Sequence, residues 1–455
     1  MRRYEFYKYS NVGWIGEIPK SWKVNRLKFL SDIIPSNVDK KSYEGEKEIL
    51  LCNYVDVYKN DKIDHSIDFM QATASDGQIQ KLLLQYDDVI ATKDSEDPAD
   101  IGVPTYVTQS FENVVCGYHL TLLRTYKEIL NGNFLFWILS SKNCSQHFYT
   151  EARGVTRYAI GSNAFKNLLL PLPTLKEQKA IANYLDNKTS EIESLIAKKK
   201  QLIKLLQEES TAIINQAVTK GIDLSVKLKD SGVEWIGEIP EHWGVKKLKY
   251  LLKETKDSLK SGPFGSHIKS SDYVENSDFK VYTQRNVLDK DFDNGTENID
   301  ESKFKELKGF LIHEKDILIT TRGSIGKCSE FPADKPRGVL HPCLIRMQID
   351  ENKTLNSWII NYINNTSLFF SNVKYNSNST IIDVIYSYTL KEIFFPVPPL
   401  NEQKIIMNWL QTKVEDINDI IFKTEKEIEL MQEYKTALIS EVVTGKVDVR
   451  EEVVN

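Results

Sequence analysis

The stretch of sequence that decides the fold covers residues 174–221 and reads TLKEQKAIANYLDNKTSEIESLIAKKKQLIKLLQEESTAIINQAVTKG. It aligns without a gap, at a shift of 225 positions, on residues 399–446, which read PLNEQKIIMNWLQTKVEDINDIIFKTEKEIELMQEYKTALISEVVTGK. From Lys176 to Ala217 the first copy has neither proline nor glycine, and its apolar residues recur at helical spacing. Each copy therefore predicts a helix of roughly 40 residues, about 60 Å long at about 1.5 Å per residue.

The ends of the two predicted helices carry different signals. Pro173 precedes the first copy, and Thr174 with Glu177 three residues later fits a capping box. Gly221 is a plausible terminator. In the second copy Pro399 replaces the threonine, so its first turn is expected to begin differently.

Helices of this length with one apolar seam need a partner of similar length. The other copy is the obvious partner, and the simplest pairing in one chain is an antiparallel coiled coil. Two interpretations remain open at this point. The pair is either a structural coiled coil alone or a spacer that fixes the distance between two binding blocks.

A second repeated motif precedes each helix. Trp14-Ile15-Gly16-Glu17-Ile18-Pro19 returns unchanged at residues 235–240, at a shift of 221. The blocks between the repeats contain short β-branched apolar runs such as Ile317-Leu318-Ile319-Thr320, and helix-like stretches at 134–141 and 357–364. We predict an α+β fold with a pseudo-two-fold internal repeat. The predicted parts are a first block at 1–173, a first helix at 174–221, a second block at 222–398, a second helix at 399–446 and a tail at 447–455.

Composition limits the classes of function. Among 455 residues there are five cysteines with no close pair, and the seven histidines form no metal-binding pattern. There is no apolar run of about 18 residues and no signal-peptide core, so a cytoplasmic protein with no membrane contact is expected. The formal net charge of −5 counts against a DNA binder unless the basic groups are local or partners supply phosphate contacts.

The motifs together resemble the specificity subunit of type I restriction-modification systems. The resemblance rests on the Trp-Ile-Gly-Glu-Ile-Pro motif, the prolines at 171–173 and 396–399, Glu-Gln-Lys at 177–179 and 402–404, and helix ends at 217–221 and 442–446, all in tandem. The second block adds Ser261-Gly262-Pro263-Phe264-Gly265-Ser266 and the stretch 321–327, both similar to phrases of the family's target recognition domains.

The resemblance implies two target recognition domains, each reading one half of an interrupted DNA site in a system of DNA methylation and phage defence. It implies that the helices set the gap and dock two methyltransferase subunits, and that restriction subunits with ATP-driven translocation join the assembly. S-adenosylmethionine, ATP and magnesium are expected on those partners. The chain itself is expected to be non-catalytic and to hold no cofactor.

The sequence agrees with the expectation that the chain is non-catalytic. The stretch from Gly323 to Cys328 has the wrong glycine spacing for a phosphate loop, and cysteine stands where the magnesium-binding hydroxyl belongs. The acidic run 94–97 has no Glu-x-Lys partner, so a solvated loop is favoured over a nuclease site.

Candidate DNA contacts are polar residues in the loops of each block, where bases can be reached. In the second block they are Lys260, Ser266, His267, Lys269, Gln284, Arg285, Asn286, Thr321, Arg322, Ser324, Asn376 and Asn378. In the first block they are Lys93, which is proposed only from its alignment with Thr321, and Arg153, Thr156, Arg157, Tyr158, Ser162 and Asn163. Arg322 is the candidate for a bidentate contact with guanine.

Two rival interpretations remain. The chain is alternatively a coiled-coil scaffold whose blocks bind proteins, or a fused methyltransferase or nuclease. The missing cofactor and metal motifs disfavour the enzyme. The Trp14 and Trp235 motifs are identical in both halves, so they are expected to pack against the helices or a partner rather than read different half-sites.

Overall fold

The computed structural model describes residues 2–295, 297–377 and 384–452. The chain divides into two compact units, Met1–Lys200 with Glu425–Asn455, and Gln201–Thr424. It passes from one unit to the other inside the long helix of each copy. The domain boundaries predicted at 173/174, 221/222 and 398/399 stay predictions. The division into compact units falls inside the two long helices and so does not test them.

The first unit is an α+β unit built around a five-stranded sheet of order β4-β12-β8-β10-β6. Its strands are β1 (Tyr7–Tyr9), β2 (Glu17–Pro19), β3 (Lys23–Arg26), β4 (Ser31–Pro35), β5 (Lys47–Cys52), β6 (Lys62–Ile63), β7 (Met70–Ala74), β8 (Asp88–Thr92), β9 (Asp94–Ser95), β10 (Pro104–Val107), β11 (Val114–Cys116), β12 (Leu120–Thr125), β13 (Arg153–Gly154), β14 (Tyr158–Ala159) and β15 (Leu169–Leu172). Its helices are α1 (Tyr54–Lys59), α2 (Asp76–Leu82), α3 (Gly132–Leu139), α4 (Lys142–Glu151), α5 (Ser162–Asn167) and the first part of α6 (Leu175–Lys220).

The first unit also contains two three-stranded sheets, with orders β11-β5-β7 and β13-β14-β9, and two two-stranded sheets, β1-β2 and β15-β3. Strand β8 is buried along its whole length because it lies between β12 and β10. Its β-branched and small residues suit that position. Helix α3 is also buried throughout and belongs to the same core as Ile181 and Leu185 of α6.

The second unit repeats this plan around a four-stranded sheet of order β19-β25-β22-β23 and a three-stranded sheet of order β21-β20-β24. Its strands are β16 (Leu228–Asp230), β17 (Glu238–Pro240), β18 (Gly244–Lys247), β19 (Leu259–Ser261), β20 (Phe279–Tyr282), β21 (Glu297–Ile299), β22 (Ile317–Thr320), β23 (Cys328–Glu330), β24 (Gly338–Leu340), β25 (Leu344–Met347) and β26 (Phe394–Val397). Its helices are α7 (Gln284–Asp289), α8 (Glu301–Glu306), α9 (Asn356–Asn365), α10 (Ser367–Ser377), α11 (Ser387–Lys391) and the first part of α12 (Leu400–Val443).

The long helices α6 and α12 run antiparallel. In the first unit, ion pairs join Lys199 to Glu427 and Glu193 to Lys435, so residue numbers rise along α12 as they fall along α6. Apolar residues of both helices share the core of that unit. In the second unit the end of α6 and the beginning of α12 likewise share one core. The predicted pairing is confirmed.

The repeated Glu-Gln pair anchors each helix to the block before it. Glu177 accepts hydrogen bonds from Tyr4 Oη at 2.7 Å and from Trp22 Nε1 at 3.1 Å. Its counterpart Glu402 accepts from Trp243 Nε1 at 3.0 Å. These hydrogen bonds fix the orientation of each long helix relative to a tryptophan of its unit. The motif occurs twice because the same contact forms in both units.

The predicted capping box of α6 forms only in half. The Glu177 N–H lies 3.4 Å from Thr174 Oγ1, as expected for the cap. The Glu177 carboxylate does not return to the threonine backbone, because Tyr4 and Trp22 occupy it instead. A tertiary contact thus replaces one local contact. Gly221 ends the helix in the left-handed region at φ 77°, as predicted.

The Trp14 and Trp235 motifs are packing elements in both units. Ile15 and Ile18 are buried in the core of the first unit, and Ile236 and Ile239 in the core of the second. The glycine of each motif has a left-handed backbone, with φ of 70° and 69°. Glycine adopts this conformation without steric cost.

Candidate nucleic-acid interface

In the second unit, four segments meet at the ends of strands β19, β20 and β22. We name them the second loop cluster, and they are residues 262–269, residues 283–286, which include the first turn of α7, and residues 321–327 and 341–343. Three backbone hydrogen bonds of 2.8–3.0 Å tie them to the strands and to each other: Gly262 N–H to Leu344 O, Thr321 N–H to Cys343 O, and His341 N–H to Tyr282 O. The predicted contact regions around 262, 284 and 322 are therefore brought together.

The first unit contains the same frame. Its four segments, the first loop cluster, are residues 36–40, residues 53–56, which include the start of α1, residues 93–97, which include β9, and residues 117–119. Three backbone hydrogen bonds of 2.8–3.0 Å repeat those of the second unit: Ser36 N–H to Leu120 O, Lys93 N–H to His119 O, and Gly117 N–H to Cys52 O. These bonds support the sequence alignment of Lys93 with Thr321.

The side chains on this shared frame differ between the units. Matched positions carry Tyr54 and Gln284, Lys93 and Thr321, Asp94 and Arg322, Gly117 and His341, and His119 and Cys343. A constant backbone with variable side chains suits two readers of different chemical patterns. Identical side chains would instead suit one shared ligand.

Arg322 is the predicted guanine contact in the second loop cluster. Its side chain is exposed, and it has no ion-pair partner among the described residues. The neighbouring Gly323 has a left-handed backbone at φ 65°, and a Cβ there would lie 3.4 Å from Gln284 Nε2. Gln284 thus lies beside the Arg322 loop, while Thr321 is buried and donates its hydroxyl to Cys343 O at 2.9 Å.

The glycine-rich loop of the second cluster approaches His341 closely. A Cβ at Gly262 would lie 2.2 Å from His341 O, so only glycine fits there. Beyond it Phe264 is 79% exposed, with its ring centroid 6.2 Å from that of His267. An exposed aromatic ring beside a histidine is suited to contact with a nucleic acid.

The remaining candidates of the second block occupy varied positions. Ser266, His267, Lys269 and Ser324 are exposed, whereas Lys260 donates to Asp257 at 3.1 Å. Arg285 pairs with Asp289 on the surface of α7. Asn376 lies in α10, and Asn378 is outside the described residues.

Asn286 serves the local fold. It is buried, and its side chain accepts from the Thr283 N–H at 2.8 Å as the third residue of α7. Its amide nitrogen donates to Asp291 O and Asn294 O. These bonds engage both ends of the amide inside the protein.

In the first loop cluster, Lys93 is half-buried. Its Nζ donates to Ser36 O at 2.7 Å and lies 4.6 Å from the centroid of the Tyr118 ring. Burial lowers the pKa of Lys93, although nearby Asp94 opposes the shift. Lys93 therefore links two segments of the first loop cluster, because its ammonium donates to the backbone carbonyl of Ser36.

A short hairpin brings the other first-block candidates to this cluster. Strand β13 pairs with β14, and β14 pairs with β9 so that Ala159 lies opposite Asp94. Exposed Arg153 and Thr156 and half-buried Tyr158 belong to this hairpin. Ser162 and Asn163 begin helix α5 immediately after it.

Arg157, in the same hairpin, belongs to a cluster of polar side chains. It donates through Nε and Nη2 to Asp94 Oδ1 at 3.0 and 2.7 Å, and His119 Nδ1 lies 2.6 Å from the same oxygen. Tyr54 contributes its hydroxyl 3.2 Å from Ser95 Oγ, and burial raises its pKa. The residues surround an open pocket of about 560 Å³.

Sequence reasoning missed Asp94, His119, Tyr54 and His341. Asp94 was assigned to a solvated loop, but it is buried beneath Arg157. His341 is half-buried, and burial lowers its pKa. The sequence offered one signal for the two histidines: His119 directly precedes strand β12, and His341 lies three residues before strand β25.

A second matched feature lies on the long helices. In the first unit, an open groove of about 600 Å³ separates α12 from the start of α4, and in the second a groove of about 590 Å³ separates α6 from the start of α10. We name these the twin grooves. Both are lined by the same four residue types at equivalent positions: Gln207 and Gln432, Glu208 and Glu433, Thr211 and Thr436, Ala212 and Ala437.

The long helices also carry exposed apolar side chains at matched positions. Leu195 and Leu430 are 44% and 54% exposed in the first unit, and their counterparts Ile420 and Leu205 are 46% and 53% exposed in the second. Apolar residues at matched exposed positions on a helix indicate a repeated interaction surface.

Within the described ranges, no three or more histidine, cysteine or acidic side chains come together to hold a metal ion. No helix in the described part of the chain combines the length and apolar character needed to cross a membrane.

The chain matches the family model described as "Type I restriction modification DNA specificity domain" twice, at residues 19–205 and 240–430. It is 27% identical to the putative type I restriction enzyme MjaX specificity subunit of Methanocaldococcus jannaschii, over 98% of this chain and 99% of the relative. The MjaVIII specificity subunit of the same organism is 22% identical over 98% of each chain.

Two solved structures share the fold. A chain from a study of complex assembly and conformational transition in the type I R-M system has a TM-score of 0.70 and 14% identity, covering 94% of this chain and 99% of its own. The HsdS subunit from Thermoanaerobacter tengcongensis has a TM-score of 0.59 and 15% identity, covering 94% and 98%.

Proposed function

Because the chain belongs to the family of type I restriction-modification specificity subunits, we propose that its two loop clusters each read one half of a bipartite DNA site. The family assignment confirms the predicted identity, fold class and non-catalytic role, with two target recognition domains in the chain. The observation that carries the proposal is the repeated backbone frame with different side chains at matched positions.

The chemistry of the clusters suits base edges in the major groove. Arg322 offers a fork of donors for guanine O6 and N7, and Gln284 offers one donor and one acceptor for adenine. Glycines at 262 and 323 allow the backbone to approach a base pair closely. The two clusters carry different donor and acceptor sets, so they read different half-sites.

We also propose that the helices α6 and α12 fix the gap between half-sites. The chain crosses between the compact units only within these two helices. A helix has a fixed rise of about 1.5 Å per residue. The number of helical residues therefore sets the distance available between the readers.

The twin grooves are proposed as docking sites for two methyltransferase subunits. Matched glutamine, glutamate, threonine and alanine line both grooves, so two copies of one partner can bind equivalent surfaces. These partners supply S-adenosylmethionine and extrude the target adenine. Restriction subunits, with their ATP and magnesium, join through the same assembly.

Shared phosphate contacts explain how a chain of net charge −5 serves as a DNA reader. Affinity for duplex DNA depends mainly on cationic contacts with phosphates, and the methyltransferase subunits contribute most of them in this proposal. The specificity subunit then contributes base contacts. We expect the isolated chain to bind DNA weakly and the assembled complex to bind it tightly.

The test is an exchange of residues 222–398 for the corresponding block of a relative, in a strain that lacks other methylation. The chain is expressed with its methyltransferase subunit, and single-molecule methylome sequencing gives the methylated motif. We expect a bipartite motif in which the exchange changes one half only. A reciprocal exchange of residues 1–173 is the matched control and should change the other half. A motif altered in both halves by one exchange contradicts independent readers.

A further inference from the structure

Arg157 is fixed in place by a buried carboxylate. The Asp94 side chain is 12% exposed, whereas that of Arg157 is 53% exposed. Both Nε and Nη2 of Arg157 donate to Asp94 Oδ1, at 3.0 and 2.7 Å. One edge of the guanidinium is thus held by the protein, and the other faces outward.

Nη1 of Arg157 retains the donors needed for a base. No acceptor among the described residues is bonded to Arg157 Nη1, whereas Nη2 bonds to Asp94 and also lies 2.9 and 3.4 Å from the two ring nitrogens of His119. Both hydrogens of Nη1 are therefore left for O6 and N7 of guanine, as the hydrogens of a lysine ammonium can be. A charge-assisted bond to Asp94 limits the rotamers of Arg157, so less conformational entropy is lost when a base is bound.

His119 completes the support on the side opposite the hairpin. Its Nδ1 lies 2.6 Å from Asp94 Oδ1 and 2.9 Å from Arg157 Nη2. The three side chains come from β9, from the loop before β12 and from the β13–β14 hairpin. Residues so distant in sequence meet because Ala159 pairs with Asp94 and the His119 carbonyl accepts from Lys93.

The two units can be compared at the position of Asp94, the residue that holds Arg157. Asp94 of the first unit and Arg322 of the second occupy the same place on the shared frame, each opposite a matched residue of the following strand, Ala159 or Val384. In the second unit that place carries an arginine directly. In the first it carries an aspartate that holds an arginine from the β13–β14 hairpin. Each cluster therefore presents one guanidinium at equivalent sites.

We propose that Arg157 reads a guanine of the first half-site through Nη1, with Asp94 and His119 as its positioning residues. This inference rests on the proposed function and deepens it, because it assigns a base to a residue. The first half-site is the one that changes when residues 1–173 are exchanged. The guanine can be on either of its strands.

The experiment uses the full chain in complex with its methyltransferase subunit. Duplexes carry the motif found in the wild-type methylome, and each guanine in turn is replaced by 7-deazaguanine, which lacks the N7 acceptor. For the wild-type complex we expect one guanine of the first half-site to show a clear loss of affinity on replacement. Arg157→Ala should remove that loss and reduce discrimination against the wrong base pair there by about 5- to 150-fold, the equivalent of about 1–3 kcal/mol.

Asp94→Asn tests the positioning role. It should weaken discrimination at the same guanine and leave every other position unchanged, and the double variant should be no worse than Arg157→Ala alone. Arg157→Met keeps a long side chain but removes every donor, so it should lose discrimination as the alanine variant does. It also serves if the alanine variant fails to fold. Arg26→Ala removes an exposed arginine of β3 from the same unit and should change no base preference.

Two results overturn the inference. The first is a first half-site without guanine on either strand. The second is a 7-deazaguanine penalty that persists in folded Arg157→Ala or Arg157→Met. A wild-type complex that methylates no bipartite motif refutes the proposed function instead, so the two failures are distinguishable.

Discussion

Lengthening both long helices by one heptad should lengthen the gap between the half-sites. The insertions go after Lys200 in α6 and after Thr424 in α12, where the compact units divide. Seven residues add about 10 Å at about 1.5 Å per residue, and this equals about three base pairs at about 3.4 Å each. Seven residues also complete nearly two helical turns, so the apolar seam stays in register.

The assay is methylome sequencing of a strain that carries the lengthened chain and its methyltransferase subunit. We expect the same two half-sites separated by about three more base pairs. The methylated fraction should fall, because three base pairs also rotate one half-site by about 100° around the duplex at about 10.5 base pairs per turn. The matched control replaces the seven residues before each insertion point by the inserted sequence, which keeps the length and should keep the gap.

An unchanged gap in the lengthened variant would refute the spacer reasoning. Loss of all methylation in both the variant and the length-preserving control would show that the inserted sequence breaks the helices, and a heptad copied from residues 194–200 then replaces it. A gap that shortens would equally contradict the account.

The remaining predictions concern partners, stability and pH. Glu208→Lys or Glu433→Lys should each reduce the methyltransferase copies bound from two to one by native mass spectrometry, and two copies retained would argue against the grooves. Trp243→Ala should destabilise the second unit by about 3–5 kcal/mol, because it empties a buried indole site and leaves Oε1 of Glu402 without its donor, and an unchanged melting temperature would contradict this. Burial lowers the pKa of His341, so the unfolded chain binds its proton more readily. Stability from this site is therefore complete above the unfolded pKa of about 6.5 and declines as pH falls below it. His341→Gln should flatten the dependence of melting temperature on pH in that range, and an equal slope in both proteins would count against it.

The sequence predicted the repeated architecture because the relevant signals are local and occur twice. Helical spacing without proline or glycine predicted α6 and α12, and Gly221 predicted the end of α6. The β-branched run 317–320 predicted β22, which the structure places between β25 and β23. A single polypeptide with two complementary helices leaves few alternatives to antiparallel pairing.

The site was predicted less well because its contacts are not local. Asp94 and Arg157 are 63 residues apart, and only the β14–β9 register brings them together. No spacing in the sequence reveals that pairing. Asn286 illustrates the opposite limitation. An asparagine after a strand suggests a surface loop, yet the chain turns there into α7 and its amide holds the turn.

The scaffold interpretation treated the two blocks as protein-binding modules. Membership in the specificity-subunit family excludes it as the main role. The twin grooves retain one part of that interpretation, since matched surfaces on the helices are proposed to bind proteins. Reading and docking then occupy separate surfaces, one with varied side chains and the other with repeated ones.

Site-specific photocrosslinking tests the pair of independent readers most directly. Glu96 and Ser324 are exposed and occupy matched positions on the two frames, so p-benzoylphenylalanine can replace either one. In the complex with methyltransferase and a duplex that carries the motif, position 96 should crosslink to one half-site only and position 324 to the other only. Crosslinks from both positions to the same half-site, or from neither to DNA, would contradict the account.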